Sequence, residues 1–180
     1  WIIKAAVVLV LALALFWAVF YFCVDRAQKN DMPDGVSLSP VQVNEVYPDW
    51  VYFEARPGDT LEGAFWVWNG YEHEAAVNLG SLDVIDGSTL EDFQLKAAQD
   101  DQLGIGGWTK VQLSYLDLDS EQEKSVPFHL TVPEGTPYGT YMGAVYASYS
   151  PDAEDATFRT IYQSGLRVIV LVTDNPAEVS

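Results

Sequence analysis

Cationic side chains are scarce in this sequence. Nine Lys plus Arg stand against 26 Asp plus Glu in 180 residues, a formal net charge of 9 − 26 = −17. Neutralising phosphates takes clustered Lys and Arg, so nucleic acid is excluded as a partner. Cysteine is represented once, by Cys23, which excludes an internal disulfide framework and any Cys-rich zinc or iron–sulfur site. Histidine occurs twice, as His73 and His129, far apart in the chain and outside any metal-ligand spacing. No Gly-x-Ser-x-Gly elbow is found, and Gly104-Ile-Gly-Gly107 lacks the preceding strand and following helix of a dinucleotide fingerprint. Without a nucleophile, a base or a metal set that stands out, the sequence reads as a non-enzyme that needs no cofactor. What it does have is 49% hydrophobic and 13% aromatic residues, too many for a disordered acidic tail.

The apolar residues are distributed in two ways. Residues 5–24 form an unbroken run of twenty without charge, Gly or Pro. As a helix the run spans about 30 Å, the thickness of a bilayer's hydrocarbon core. Trp17, Tyr21 and Phe22 cluster toward its far end, where an aromatic belt is expected. Residues 1–29 therefore read as a transmembrane or assembly-core helix, and 30–35, with Pro33 and Gly35, as a linker.

From Val36 to Thr173 the pattern changes to short runs rich in Val, Tyr, Phe, Trp and Thr, punctuated by turn clusters such as Arg56-Pro57-Gly58-Asp59 and Pro133-Glu134-Gly135. Strands are expected at 36–46, 50–55, 60–69, 74–85, 109–118, 123–132, 139–149 and 157–173. Seven or eight strands with no helical period between them make an immunoglobulin-like antiparallel β-sandwich the expected fold, mainly β and preceded by one long helix. Alternation places Leu61, Phe65 and Val67 on one face of their strand and Glu62, Ala64, Trp66 and Trp68 on the other. Residues 86–108 interrupt the strand pattern as an insertion, and 174–180 form a polar tail.

Glu54-Ala-Arg-Pro-Gly-Asp-Thr-Leu61 leading into Phe65-Trp-Val-Trp-Asn69, then Val126-Pro-Phe-His-Leu-Thr-Val-Pro133 with Pro137-Tyr-Gly-Thr-Tyr-Met-Gly143, and last Gly165-Leu-Arg-Val-Ile-Val-Leu-Val172, make an ordered set. It resembles the bacterial immunoglobulin-like domains of the NEW type and the peptidoglycan-binding domain of WxL-interacting surface proteins. That resemblance implies the sandwich and a possible cell-wall glycan ligand. Within these motifs Pro57, Gly58 and Gly139 suit turns that pair a fixed φ with a permissive one. Gly143 leaves room beneath Tyr141. Tyr141 is expected between the sheets, its hydroxyl bonded to backbone near 132–135 in the manner of a tyrosine corner. The layout of an apolar N-terminal helix joined to a small β domain also resembles a type IV pilin of the archaeal style.

Two further features carry functional expectations. Asp117, Asp119, Glu121 and Glu123 form an acidic cluster that is a weak Ca²⁺ candidate, since they lack the spaced loop and central Gly of known sites. Trp66 and Trp68 share one face and form an aromatic stripe for a protein neighbour or a glycan. The resulting expectation is a non-catalytic, extracytoplasmic structural or binding subunit, partnered by lipid, other subunits or cell-wall glycan. A pilin-like filament subunit and a glycan-binding surface module are the alternatives.

Overall fold

The computed structural model describes residues 35–42, 49–150 and 161–176. Among them nine strands and one helical turn follow in chain order: β1 (Val36–Pro40), β2 (Val51–Ala55), β3 (Thr60–Asn69), β4 (Ala75–Asp83), α1 (Ile105–Trp108), β5 (Thr109–Val111), β6 (Tyr115–Leu118), β7 (Glu123–Thr131), β8 (Gly139–Tyr149) and β9 (Tyr162–Val172). They form two sheets, one in the order β1-β3-β7-β5 and the other in the order β2-β9-β8-β4-β6. All pairings are antiparallel except β2 with β9. The fold is an immunoglobulin-like sandwich.

Alternation drives the packing. Phe65 and Val67 of β3, Val126, Phe128 and Leu130 of β7, Val145 and Ala147 of β8, and Val168 and Val170 of β9 point inward and are buried. Phe128 sits at the centre, its ring centroid 6.2 Å from those of Phe53 and Phe65. Its ring has room because its cross-strand partner is Gly63. A Cβ at Gly63 would lie 2.4 Å from the ring. The same device recurs on the outside of the second sheet, where Tyr146 lies over its partner Gly80.

The turns follow the chemistry of their residues. Gly58, with φ +91°, stands third in Arg56-Pro57-Gly58-Asp59, closed by the Asp59 N–H on the Arg56 carbonyl at 3.1 Å. A positive φ at the third position is the requirement of a type II turn, and Pro at the second favours it. Gly135, with φ +79°, does the same in the turn from Pro133 to Thr136.

The run expected as one strand over 109–118 is two strands, which brings the count to nine. The Gln112 N–H still bonds the Pro127 carbonyl of the first sheet, whereas the Ser114 carbonyl already accepts from Leu79 of the second. The chain therefore changes sheets at residues 112–114. Between β1 and β2 it also passes from one sheet to the other. The four strands at the sheet edges are the four shortest, with 5, 5, 3 and 4 residues, against 9 to 11 for the inner five.

The long apolar helix expected over the N-terminal span lies outside the described residues, as do Trp17, Tyr21 and Phe22. Among the described residues no helix is long and apolar enough to cross a membrane, and the one helix is the four-residue turn Ile105-Gly-Gly-Trp108. The pilin-type layout, which needed a long helix as its core, is corrected accordingly.

Candidate functional site

The outward face of the first sheet carries Trp66 and Trp68. β3 is the second strand of that sheet, so each indole has a neighbour on both sides. Trp66 lies between Ser39 of β1 and Ser125 of β7, and Trp68 between Ser37 and Glu123. Their inward neighbours Phe65, Val67 and Asn69 are buried, while both indoles are half-buried. Small serines on three of the four flanking positions leave space for the rings along the sheet. The Trp68 Nε1 is buried and without a hydrogen-bond partner, so what Trp68 offers to the outside is ring carbon. Farther along the same face the His129 Nδ1 stands 3.8 Å from the Glu62 carboxylate. The Gln112 side-chain nitrogen lies 3.2 Å from the His129 Nε2. The face is thus an aromatic strip with a polar rim of hydroxyl, carboxylate and imidazole.

The insertion is anchored by a residue the sequence reading passed over. Asp83 ends β4 at an inward position and is 4% exposed. Its carboxylate accepts the backbone N–H groups of Leu103 at 2.6 Å, Gly104 at 2.9 Å and Gly106 at 2.6 Å. The Lys96 Nζ stands 3.7 Å away, and the Asp83 N–H donates to the Gln102 side-chain oxygen at 2.6 Å. Buried charge requires such a ring of donors. Gly106 and Gly107 let the loop come this close, since a Cβ on Gly107 would lie 2.0 Å from the Gln102 carbonyl oxygen. The glycine run is therefore a wrapper for a carboxylate and not a nucleotide loop. Ile105, fully buried, follows into the sandwich.

That placement corrects the expected role of Gly143. The side chain over it belongs to Ile105, whose Cβ would be 2.5 Å from a Cβ at 143, and not to Tyr141. Tyr141 packs against Trp108, with centroids 4.8 Å apart, and is half-buried rather than enclosed between the sheets. Its hydroxyl donates to the Pro137 carbonyl at 3.0 Å, four residues upstream, and the carbonyls of 132–135 are not its acceptors. Pro57 and Gly58 form the turn already described. Gly139, with φ +154° and open space around its Cα, opens β8.

The acidic candidates are not brought together. β6, which carries Asp117, belongs to the second sheet, and β7, which begins at Glu123, to the first, so the carboxylates are spread across the sandwich. The Tyr115 hydroxyl donates to Asp117, and the Asp119 N–H is taken by Gln122. Among the described residues no three His, Cys, Asp or Glu side chains converge on a metal position. At the same end His73 stacks on Tyr71, 5.1 Å between centroids, and meets the Tyr149 hydroxyl at 3.0 Å.

No protein-family model matches the chain, and no curated protein matches it. Several solved structures are similar to the chain. The ASH/PapD-like domain of human CEP192 (PapD-like domain 7) is 14% identical with a TM-score of 0.48, over 80% of this chain and 90% of that one. A family 123 glycoside hydrolase from Clostridium perfringens is 12% identical with a TM-score of 0.49, over 79% of this chain and 27% of that one. The E. coli chaperone DraB is 14% identical with a TM-score of 0.46, over 76% of this chain and 54% of that one. The chain thus spans about half or less of the last two. These likenesses concern the sandwich alone. The resemblance to the NEW type and to WxL-interacting proteins is corrected here: no family model matches the chain, and the short motifs behind it are turn and strand-start chemistry, with positive φ at Gly58 and Gly139.

Proposed function

We propose that this chain is a non-catalytic binding subunit that contacts a protein partner through the Trp66–Trp68 face of its first sheet, on the extracytoplasmic side. The observation that carries the reading is the pair of half-buried indoles on an outward sheet face with a polar rim. Aromatic anchors ringed by polar groups are the composition of protein interfaces, where Trp supplies much of the binding energy. The extracytoplasmic placement is part of the proposal, and protease accessibility in intact against lysed cells measures it.

The test uses cross-linking in the native host, comparing the parent with a Trp66→Ser/Trp68→Ser chain. The reading requires that a defined cross-linked protein be lost in the double variant while its melting temperature stays within a few degrees of the parent. An unchanged cross-linking pattern would sink it.

A further inference from the structure

We infer that Asn69–Gly70 is a deamidation site that the fold keeps shut, and that its reaction in an opened chain bars return to the native state. Of the five asparagines, at 30, 44, 69, 78 and 175, only Asn69 is followed by glycine. The absence of a side chain at the next residue is what lets a backbone nitrogen reach the amide carbon. In the reaction the Gly70 backbone nitrogen loses its proton and bonds to the Asn69 Cγ. Ammonia leaves with Nδ2, and a succinimide ring remains. Water then opens the ring to aspartate or isoaspartate. One water enters, one ammonia departs, and nothing is oxidised or reduced.

The native corner blocks each part of this. The Gly70 N–H is held by the Gly35 carbonyl at 2.8 Å, which keeps the attacking nitrogen protonated and pointed elsewhere. The Asn69 side chain is fully buried, with no room for the water that must follow. Its Nδ2 lies 2.9 Å from the His73 carbonyl, 3.2 Å from that of Leu118 and 2.9 Å from that of Asp119, while its Oδ1 accepts the Tyr71 N–H at 3.1 Å. The rotamer is locked from both ends.

The same contacts make the product unacceptable. Three carbonyl oxygens face the position of Nδ2, and a carboxylate has only acceptors to offer them. Aspartate at 69 would place a buried charge against three like partial charges. Isoaspartate in addition routes the main chain through Cβ, lengthening it where β3 ends and the path to β4 begins.

The full-length protein is held at mildly alkaline pH in native buffer and, in parallel, in urea. Peptide mapping by mass spectrometry then follows conversion at position 69. Each sample is afterwards diluted to refolding conditions and read by tryptophan fluorescence. Conversion should be slower in the native arm by at least about a hundredfold, as expected when reaction requires opening. In the urea arm the unfolded fraction after dilution should rise in step with conversion at 69. Comparable rates in the two arms, or converted chains that regain native fluorescence, would overturn the inference. Made directly, Asn69→Asp should fail to reach the native state, whereas Asn78→Asp, at an exposed strand position, should fold like the parent. An Asn69→Asp chain that melts with the parent would refute the second half.

Discussion

Polar side chains at inward positions are the residues on which this structure turns. Along β3 the inward sequence is Phe65, Val67, Asn69, and along β4 it is Val77, Leu79, Ser81, Asp83. In each case the apolar row ends in a group that must be fully bonded once buried. Replacing Asp83 by Asn removes the charge from three backbone bonds and sets an amide hydrogen against an N–H donor. A loss of about 3 kcal/mol in urea unfolding is expected, with the m-value unchanged. The glycines give a second, comparative prediction. At Gly63 an added methyl meets the Phe128 ring, which is fully buried in the core, and at Gly80 it meets the half-buried Tyr146 on the outer face. Gly63→Ala should cost about 1–3 kcal/mol, the range for overpacking, and Gly80→Ala clearly less, as thermal melts of the two variants will show. Both inward polar positions were legible by parity, but the sequence reading drew no bonding role from either. The partners of Asp83 were not, because Leu103, Gly104 and Gly106 lie some twenty residues away and only the folded loop supplies their N–H groups.

Among the elements, the strands were readable and the connections were not. The spans expected at 60–69 and 139–149 match β3 and β8 in their bounds, because the inward row of each is a run of apolar residues on the core. The run over 109–118 hid its break, since both halves, Thr109–Val111 and Tyr115–Leu118, carry strand-forming residues and nothing local records that they pair in different sheets. The insertion was equally opaque. Its first part folds back on β4, with Val84 bridging Leu95 and the Lys96 N–H on the Asp83 carbonyl. Leu95 reaches toward Gly165. Arg167 is held 5.0 Å from the Trp50 ring centroid and 4.8 Å from that of Phe93, so one guanidinium ties the insertion to β9 through ring faces. Arg167→Lys keeps the charge and loses the planar stack. It should loosen the insertion without unfolding the sandwich, visible as faster amide exchange at residues 88–95 while β7 and β8 stay protected. Protection lost equally throughout would contradict this division.

The whole molecule is governed by its charge and by its edges. A net charge of −17 repels itself in the compact state. Raising salt from about 0.01 M to about 1 M shortens the screening length from roughly 30 Å to 3 Å, so the melting temperature should climb with ionic strength, as a series of calorimetric scans will reveal. A flat or falling series would mean that local ion pairs outweigh the global repulsion. The acidity was available from composition, and the sandwich from the spacing of strand-forming runs and turn clusters. The position of the tryptophan pair within its sheet was not, because strand order depends on which hydrophobic rows meet across the interior. The brevity of the outer strands has its own consequence. A ribbon of three to five residues exposes too few free amides and carbonyls to template a growing cross-β stack, and each of these outer strands is followed by a step to the other sheet, which leaves no long straight margin for a second molecule to extend. Concentrated solutions of the folded protein should therefore stay free of thioflavin-positive fibrils under agitation that converts sandwiches with long bare margins. Trouble, when it comes, should start only after the layers have parted and the ten- and eleven-residue inner ribbons are laid open.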